Sequence, residues 1–145
     1  MKIEIKTPKT TQEWEAYFNI RYVELRQPWN QPLGSEKTEN EELSHHFALF
    51  CDDKMVGVLR MDELPDNTTA QFRFMAILDD YQGKKLGDYL MNAAEEKAKS
   101  LHKNLIILHA REKAISFYER LGFTVHEKSY LLFDAIQHFQ MRKVC

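Results

Sequence analysis

The sequence predicts a mixed-sheet α/β (α+β) fold, and two observations carry that expectation. Three strand-like runs, Phe47–Cys51, Met55–Met61 and Thr69–Leu78, follow one another across tight turns, which describes an antiparallel meander. The last of them leads into a glycine-bearing loop, a helical pattern and the short apolar run Asn104–Leu108. A strand, helix and strand within about 40 residues form a βαβ unit, so the two strands should be parallel neighbours joined by a right-handed crossover.

Each element has a local reason. Residues 2–6 alternate charged and apolar side chains, as a short strand does. Thr10-Thr11-Gln12-Glu13 reads as a capping box, after which Trp14, Phe18, Tyr22 and Leu25 recur at helical spacing. Arg21 lies beside that stripe, where it can snorkel to water or stand at a pocket mouth and hold an anionic substrate. Residues 27–44 carry Pro28, Pro32, Gly34 and many acids, which suits an irregular loop with one helical turn near Glu39–Leu43. Long loops in compact domains often cover binding sites, so Arg26, Trp29 and Asn30 are candidate substrate contacts; a packed aromatic is the other reading of Trp29. Asp52-Asp53-Lys54 and Leu64-Pro65-Asp66-Asn67 supply the turns of the meander. Leu86, Tyr89, Leu90, Ala93, Ala94, Lys97, Ala98 and Leu101 then trace one face of a helix. Arg111–Leu121 predicts a second, shorter helix with Gly122 at its C-cap, and strands at 124–133 and 137–143 close the chain.

Composition narrows the function classes. A chain of 145 residues is expected to form one domain over 1–145 and to bury about two-thirds of its unfolded surface. A net charge of -2 gives no reason to expect a nucleic-acid partner. No apolar run approaches the roughly 18 residues of a membrane span, and Met1–Lys6 lacks a signal-peptide core, so a cytoplasmic protein with no membrane partner is expected. Cys51 and Cys145 lack metal-ligand spacing and read as one buried thiol and one frayed thiol. His45 and His46 are adjacent and point to opposite faces of any strand, so no metal site is expected.

The most informative stretch is Met75–Leu90. An apolar strand stops at Asp79-Asp80, and Gln82-Gly83-Lys84-Lys85-Leu86-Gly87 precedes the helix. Such a loop leaves N–H groups free at a helix head, where the dipole favours an anion such as phosphate. The alternative is a plain strand-to-helix connection with solvating lysines. This loop, the later Ala114-Ile115-Ser116-Phe117-Tyr118-Glu119-Arg120-Leu121-Gly122-Phe123 and the order of elements together resemble the GCN5-related N-acetyltransferase (GNAT) superfamily. The family loop runs Arg/Gln-x-x-Gly-x-Gly/Ala, and its later motif commonly ends in Phe/Leu-Tyr-x-x-x-Gly-Phe. Lys85 stands where the first motif glycine is usual, so it needs a compatible backbone angle and an outward side chain.

The resemblance implies acetyl-coenzyme A as co-substrate and an amine of a small molecule or a protein as acceptor. The diphosphate would rest on Gln82, Gly83, Lys84, Lys85, Leu86, Gly87 and Asp88, and the pantetheine arm on the edge formed by Met75, Ala76 and Ile77, where the family's fourth and fifth strands splay. Phe117 belongs to the same cofactor wall. Arg111 stands where many members carry an asparagine that touches pantetheine. Tyr118 matches the tyrosine that often protonates the departing sulfur; packing the helix against the sheet is its other reading. No acid lies between Thr68 and Leu78 to act as base, which leaves His109, either a base or a structural strand-end histidine. Arg73 and Arg111 are candidates for a carboxylate or phosphate on the acceptor, and His138 for a solvated strand face or a wall of the acceptor site. A homodimer through the C-terminal strands is common in look-alikes. Two competing readings are a non-catalytic acyl-CoA-binding sensor or scaffold and, less well supported by the loop spacing, a nucleotide-binding domain.

Overall fold

The expected capping box forms. The Thr10 hydroxyl accepts from the Glu13 amide at 3.0 Å, and the Glu13 carboxylate accepts from the Thr10 amide at 3.3 Å. In the computed structural model, which describes residues 1–145, this box follows strand β1 (Ile3–Lys6) and starts helix α1 (Thr11–Leu25). The stripe that α1 buries is offset from the expected one. Tyr17, Ile20 and Arg21 are its buried residues, while Trp14, Phe18 and Leu25 pack along the flank.

Strands β2 (His45–Cys51), β3 (Lys54–Glu63) and β4 (Thr69–Ile77) complete the antiparallel meander begun by β1. Helix α2 (Leu86–Ser100) then crosses to β5 (Leu105–Arg111), which pairs with β4 in parallel. A 3-10 turn at Glu112–Ala114 and helix α3 (Ile115–Arg120) lead to β6 (Thr124–Leu132) and β7 (Ile136–Val144). The seven-stranded order is β1-β2-β3-β4-β5-β7-β6, so β7 slides between β5 and β6, antiparallel to both. The expected helix over Arg111–Leu121 is therefore shorter. Arg111 is extended and pairs with His138, a long-range ladder that local periodicity does not reveal. Gly122 does close α3 with φ +96, and the Phe123 amide reaches back to the Tyr118 carbonyl at 3.1 Å.

The sheet separates two apolar layers. On one face α1 sets Tyr17 and Ile20 against Ala48, Phe50, Val58 and Ala76. On the other, α2 sets Leu86, Leu90, Met91, Ala94 and Ala98 against Leu49, Leu59, Met61, Phe72 and Ile106. Cys51 is buried there as expected, but Cys145 is not frayed: it is half-buried, and its amide donates to the Asn104 carbonyl at 3.1 Å. No helix is long and apolar enough to cross a membrane.

One break in the sheet matters for function. β4 and β5 pair only from Thr69↔Leu105 to Phe72↔Leu108. Just beyond, Phe74 takes φ +54 and the β3–β4 register shifts between Val58 and Arg60. This is a bulge, and the bend it imposes turns β4 away from β5.

Behind the bulge runs an alternating chain of charges. Arg21 meets Glu41 at 2.8 Å, Glu41 meets Arg60 at 3.2 Å, Arg60 meets Asp62 at 2.8 Å, and Asp62 meets Arg73 at 3.3 Å. Burial works to raise the Glu41 carboxyl, yet hydrogen bonds from Arg21 and the Thr38 amide, with the charge of Arg60, hold it below its ordinary value. Arg21 thus neither snorkels to water nor reaches a pocket mouth. It is 0% exposed, with its guanidinium over the rings of Tyr17, Phe18 and Phe74. Removing one partner of a buried ion pair strands the other charge. Arg21→Ala should therefore cost about 3 kcal/mol of unfolding free energy in urea titrations. A loss under about 1 kcal/mol, the range of exposed pairs, would show that the chain of charges does not brace the fold.

Candidate active site

Where β4 and β5 part, a cavity of about 470 Å³ opens. Its walls are Gln71–Met75 of β4, Leu108–Arg111 of β5, Ala114 just before α3 and Tyr118 within it, and Tyr130, Leu132, Ile136 and His138 from the last hairpin. Leu25, Arg26, Trp29 and Thr38 close it from the side of α1 and its following loop. From the long loop of residues 27–44, Trp29 and Thr38 enter this lining and Asn30 does not. Arg26, Trp29, Arg73, Met75, His109, Arg111 and Tyr118, far apart along the chain, line one space, whereas Arg21 lies outside that lining.

Tyr118 packs edge to face on Phe117 at 5.0 Å and on Phe123 at 6.0 Å. Burial pushes its phenol up to about 12, with Arg111 pulling the other way, so the group keeps its proton at any physiological pH. His109 is held below the ordinary histidine value, first by burial and then by His138 and Arg73. Its Nδ1 is enclosed without a hydrogen-bond partner. The period-two pattern of the last strand favours a solvated face for His138; it is instead only 6% exposed and stacked on Tyr130 at 4.6 Å. Its Nδ1 lies 3.0 Å from the Ile136 carbonyl, which can only accept, so Nδ1 carries the proton and Nε2 presents the lone pair. Burial also lowers the His138 value, ahead of Arg111 and Arg26. Tyr130, which stands between the two imidazoles, carries no local signal in the sequence. β6 is solvent-exposed over most of its length and is separated from β5 by β7, yet its Tyr130 reaches across β7 to within 5.2 Å of the His109 ring.

The loop before α2 has its own geometry. After a 3-10 turn at Asp79–Tyr81, Gly83 takes φ +78 and Lys85 takes φ +61 and ψ 22, the left-handed angle that the departure from glycine required. The Lys85 side chain is exposed, the outward direction expected from the sequence. The amides of Gly83, Lys84, Lys85, Leu86 and Gly87 make no hydrogen bond to the backbone. The expected cradle narrows at both ends. The Gln82 amide donates to the Asp79 carbonyl at 3.2 Å, and the Asp88 amide to the Lys85 carbonyl at 3.3 Å. The Gln82 side chain is also occupied, donating to the Ile77 carbonyl at 2.9 Å and to Glu24 at 3.4 Å, while Glu24 accepts from the Asp79 amide at 3.1 Å. Glu24 thereby straps the loop to α1. Asp88 is held by Arg120 through two bonds of 2.9 and 3.0 Å.

The edge of β4 also needs one correction. The Leu78 amide bonds the Val56 carbonyl at 2.8 Å, so by the alternation of an antiparallel ladder Ala76 turns its polar groups toward β3. Met75 and Ile77 are left facing the gap. Gly87 lets the pieces meet: a Cβ there would sit 2.7 Å from Met75 Cε and 3.1 Å from Phe117 Cζ. Phe117 accordingly serves as the packed wall beside the loop.

Comparison with known proteins bears on the family and the fold. The family described as "Acetyltransferase (GNAT) domain" matches residues 10–145. The uncharacterized N-acetyltransferase YjcF of Bacillus subtilis (strain 168) is 26% identical over 135 residues, 93% of this chain and 95% of the relative. Among solved structures, an aminoglycoside 6'-N-acetyltransferase complexed with coenzyme A superposes with a TM-score of 0.82 at 15% identity, covering 99% of this chain and 97% of that one. An acyl-CoA N-acyltransferase from Pseudomonas aeruginosa gives 0.77 at 23% identity over 98% of each chain. These last two likenesses are of fold.

The unengaged amides at the head of α2 should respond to a diphosphate. Inorganic pyrophosphate is expected to slow hydrogen exchange at residues 83–87 while leaving Gln82 and Asp88 near their starting rates. Uniform protection, or none, would mean that the loop is an ordinary connection.

Proposed function

The chain belongs to the acetyltransferase (GNAT) family and catalyses acetyl transfer, and from that premise we propose how its residues divide the work. The carrying observation is that a helix head with unengaged amides at 83–87 opens beside the gap where β4 and β5 part. An anionic, extended donor fits both features at once, which supports coenzyme A as carrier. The diphosphate is assigned to the amides of residues 83–87, with Lys84 and Lys85 adding positive charge. The pantetheine arm is assigned to the edge groups of Met75 and to the Ile77 amide, beside Arg111, since the Ile77 carbonyl is taken by Gln82. Acetyl-CoA supplies the activated acetyl group, and the side chains of the cavity manage the protons.

Transfer to an amine needs a neutral nitrogen and a proton for the departing thiolate. Tyr118 is the proposed proton donor. Its raised phenol stays protonated, and the same burial that raises it desolvates a thiolate beside it and strengthens that thiolate's hold on a proton. The proposed base comes from the imidazoles flanking Tyr130. His109 retains the role expected from the sequence. His138 is the better oriented, because its Nδ1 is committed to a carbonyl and its Nε2 is free to accept. Both are depressed below the ordinary value and so are neutral and ready to accept at pH 7. The non-catalytic alternative draws on Lys85 in the loop and on the missing acid of the fourth strand; Lys85 adopts the backbone angle the loop requires, and the imidazoles are proposed in place of the acid.

Tyr118→Phe should slow thiol release from acetyl-CoA in the presence of an amine at least tenfold, within the usual range for general acids. An unchanged rate would remove the assigned role. A base must be neutral to act, so kcat should fall as pH drops through a value below about 6.5, the unperturbed histidine value. His138→Gln is expected to lower kcat and abolish that acid limb. If His109→Gln abolishes it while His138→Gln does not, the base is His109.

A further inference from the structure

The charge lining the cavity is one-sided. Arg26, Arg73 and Arg111 contribute to its wall, with His109 and His138, and no carboxylate does. The imbalance extends behind the wall. Arg21, Arg26, Arg60 and Arg73 crowd around Phe74 and its neighbours, while the carboxylates among them are Glu36, Glu41 and Asp62. Each of those acids is already engaged: Glu41 between Arg21 and Arg60, Asp62 between Arg60 and Arg73, and Glu36 with the Gly34 amide. Arg26 has no carboxylate partner. It donates only to the backbone carbonyls of Ser35 and Leu25, at 3.1 Å each, and is half-buried. Glu36 still acts on Arg26 through its charge, but four arginines stand against three carboxylates, so a chain of net charge -2 keeps an excess of positive charge at this internal surface.

Position and size sharpen this. Arg26 and Arg73 both approach the Phe74 ring, at 5.4 and 5.0 Å from its centroid, which keeps the two guanidiniums near one another at the cavity wall. Arg73 follows Phe72, the last residue of β4 paired with β5, and His109 follows Leu108, its partner. An anion held by Arg73 thus lies close to the imidazoles. Leu25, Trp29, Leu132 and Ile136 give the lining an apolar portion, next to the polar Thr38 and Gln71.

We propose that the acceptor is a small amine that carries a carboxylate or a phosphate a few bonds from its nitrogen, gripped by Arg26 and Arg73. This rests on the acetyl-transfer reading above. A planar guanidinium fork suits either oxyanion, and the apolar lining suits an uncharged body on the remaining substituent. Polyamines and other polycationic amines meet like charge at the wall and are excluded.

The test uses matched amines with acetyl-CoA and a thiol-release readout. L-Phenylalanine is compared with phenethylamine, which lacks only the carboxylate, and O-phosphoethanolamine with ethanolamine; spermidine is the polycation. The anionic member of at least one pair should have a kcat/KM at least tenfold above its neutral partner, and the pair that shows it separates carboxylate from phosphate. Arg26→Gln should raise the ratio of KM for that anionic amine to KM for its neutral partner about tenfold, a ratio that a general disturbance of the cavity would not move. Arg26 is the variant of choice because Arg73 also holds Asp62. Equal or better use of the neutral amines or spermidine would overturn the anionic-acceptor assignment while leaving acetyl transfer intact. Binding of acetyl-CoA with no turnover on any amine would overturn both.

Discussion

The structure turns on the left-handed backbone of Phe74. A non-glycine residue at φ +54 costs on the order of 1–3 kcal/mol, and it persists only where its surroundings over-determine it. Here Arg21, Arg26 and Arg73 place guanidinium carbons 4.5, 5.4 and 5.0 Å from the ring centroid. Each such contact contributes about 0.5–2 kcal/mol, depending on desolvation, so together they offset the backbone cost. The bulge then ends the pairing of β4 with β5 after Phe72 and opens the cavity.

The same residues therefore hold the bulge and supply the cavity with charge. Arg73 is tied through Asp62 and Arg60 to Glu41 and finally to the enclosed Arg21, so a charge lining the cavity is braced against the core of α1. The acids in this chain balance part of the positive charge and leave the remainder facing inward. On the acetyl-transfer reading, that remainder is what selects an acceptor. The neutral imidazoles beside it follow from the same field, since arginines and burial both disfavour a second cation.

The donor side is built differently, from backbone rather than side chains. Gly83 and Lys85, both at positive φ, turn successive amides outward at the head of α2, and Gly87 lets Met75 and Phe117 close behind them. Glu24 fastens this loop to α1 through the Asp79 amide and Gln82. Both halves of the proposed site are thus anchored to one helix. This gives physical content to the idea that a donor and an acceptor are presented to each other by a rigid frame.

Much of this was legible in the sequence because it is local. The capping box at Thr10, the turns of the meander, the apolar face of α2, the C-cap at Gly122 and the loop from Gln82 to Gly87 all depend on residues within a few positions of one another. Their spacing alone determined the element order, the βαβ unit and the glycine-bearing loop at the head of α2. What only the tertiary structure decided were facts of long-range pairing and enclosure. The insertion of β7 between β5 and β6 ends β5 at Arg111 and buries His138 against Tyr130. Burial of Arg21 depends on Glu41, twenty residues away, and membership of the cradle depends on which amides find a carbonyl. Sequence period reports which face a side chain occupies; it does not report which distant group that face will meet, and the charge and protonation of this site are set by such meetings.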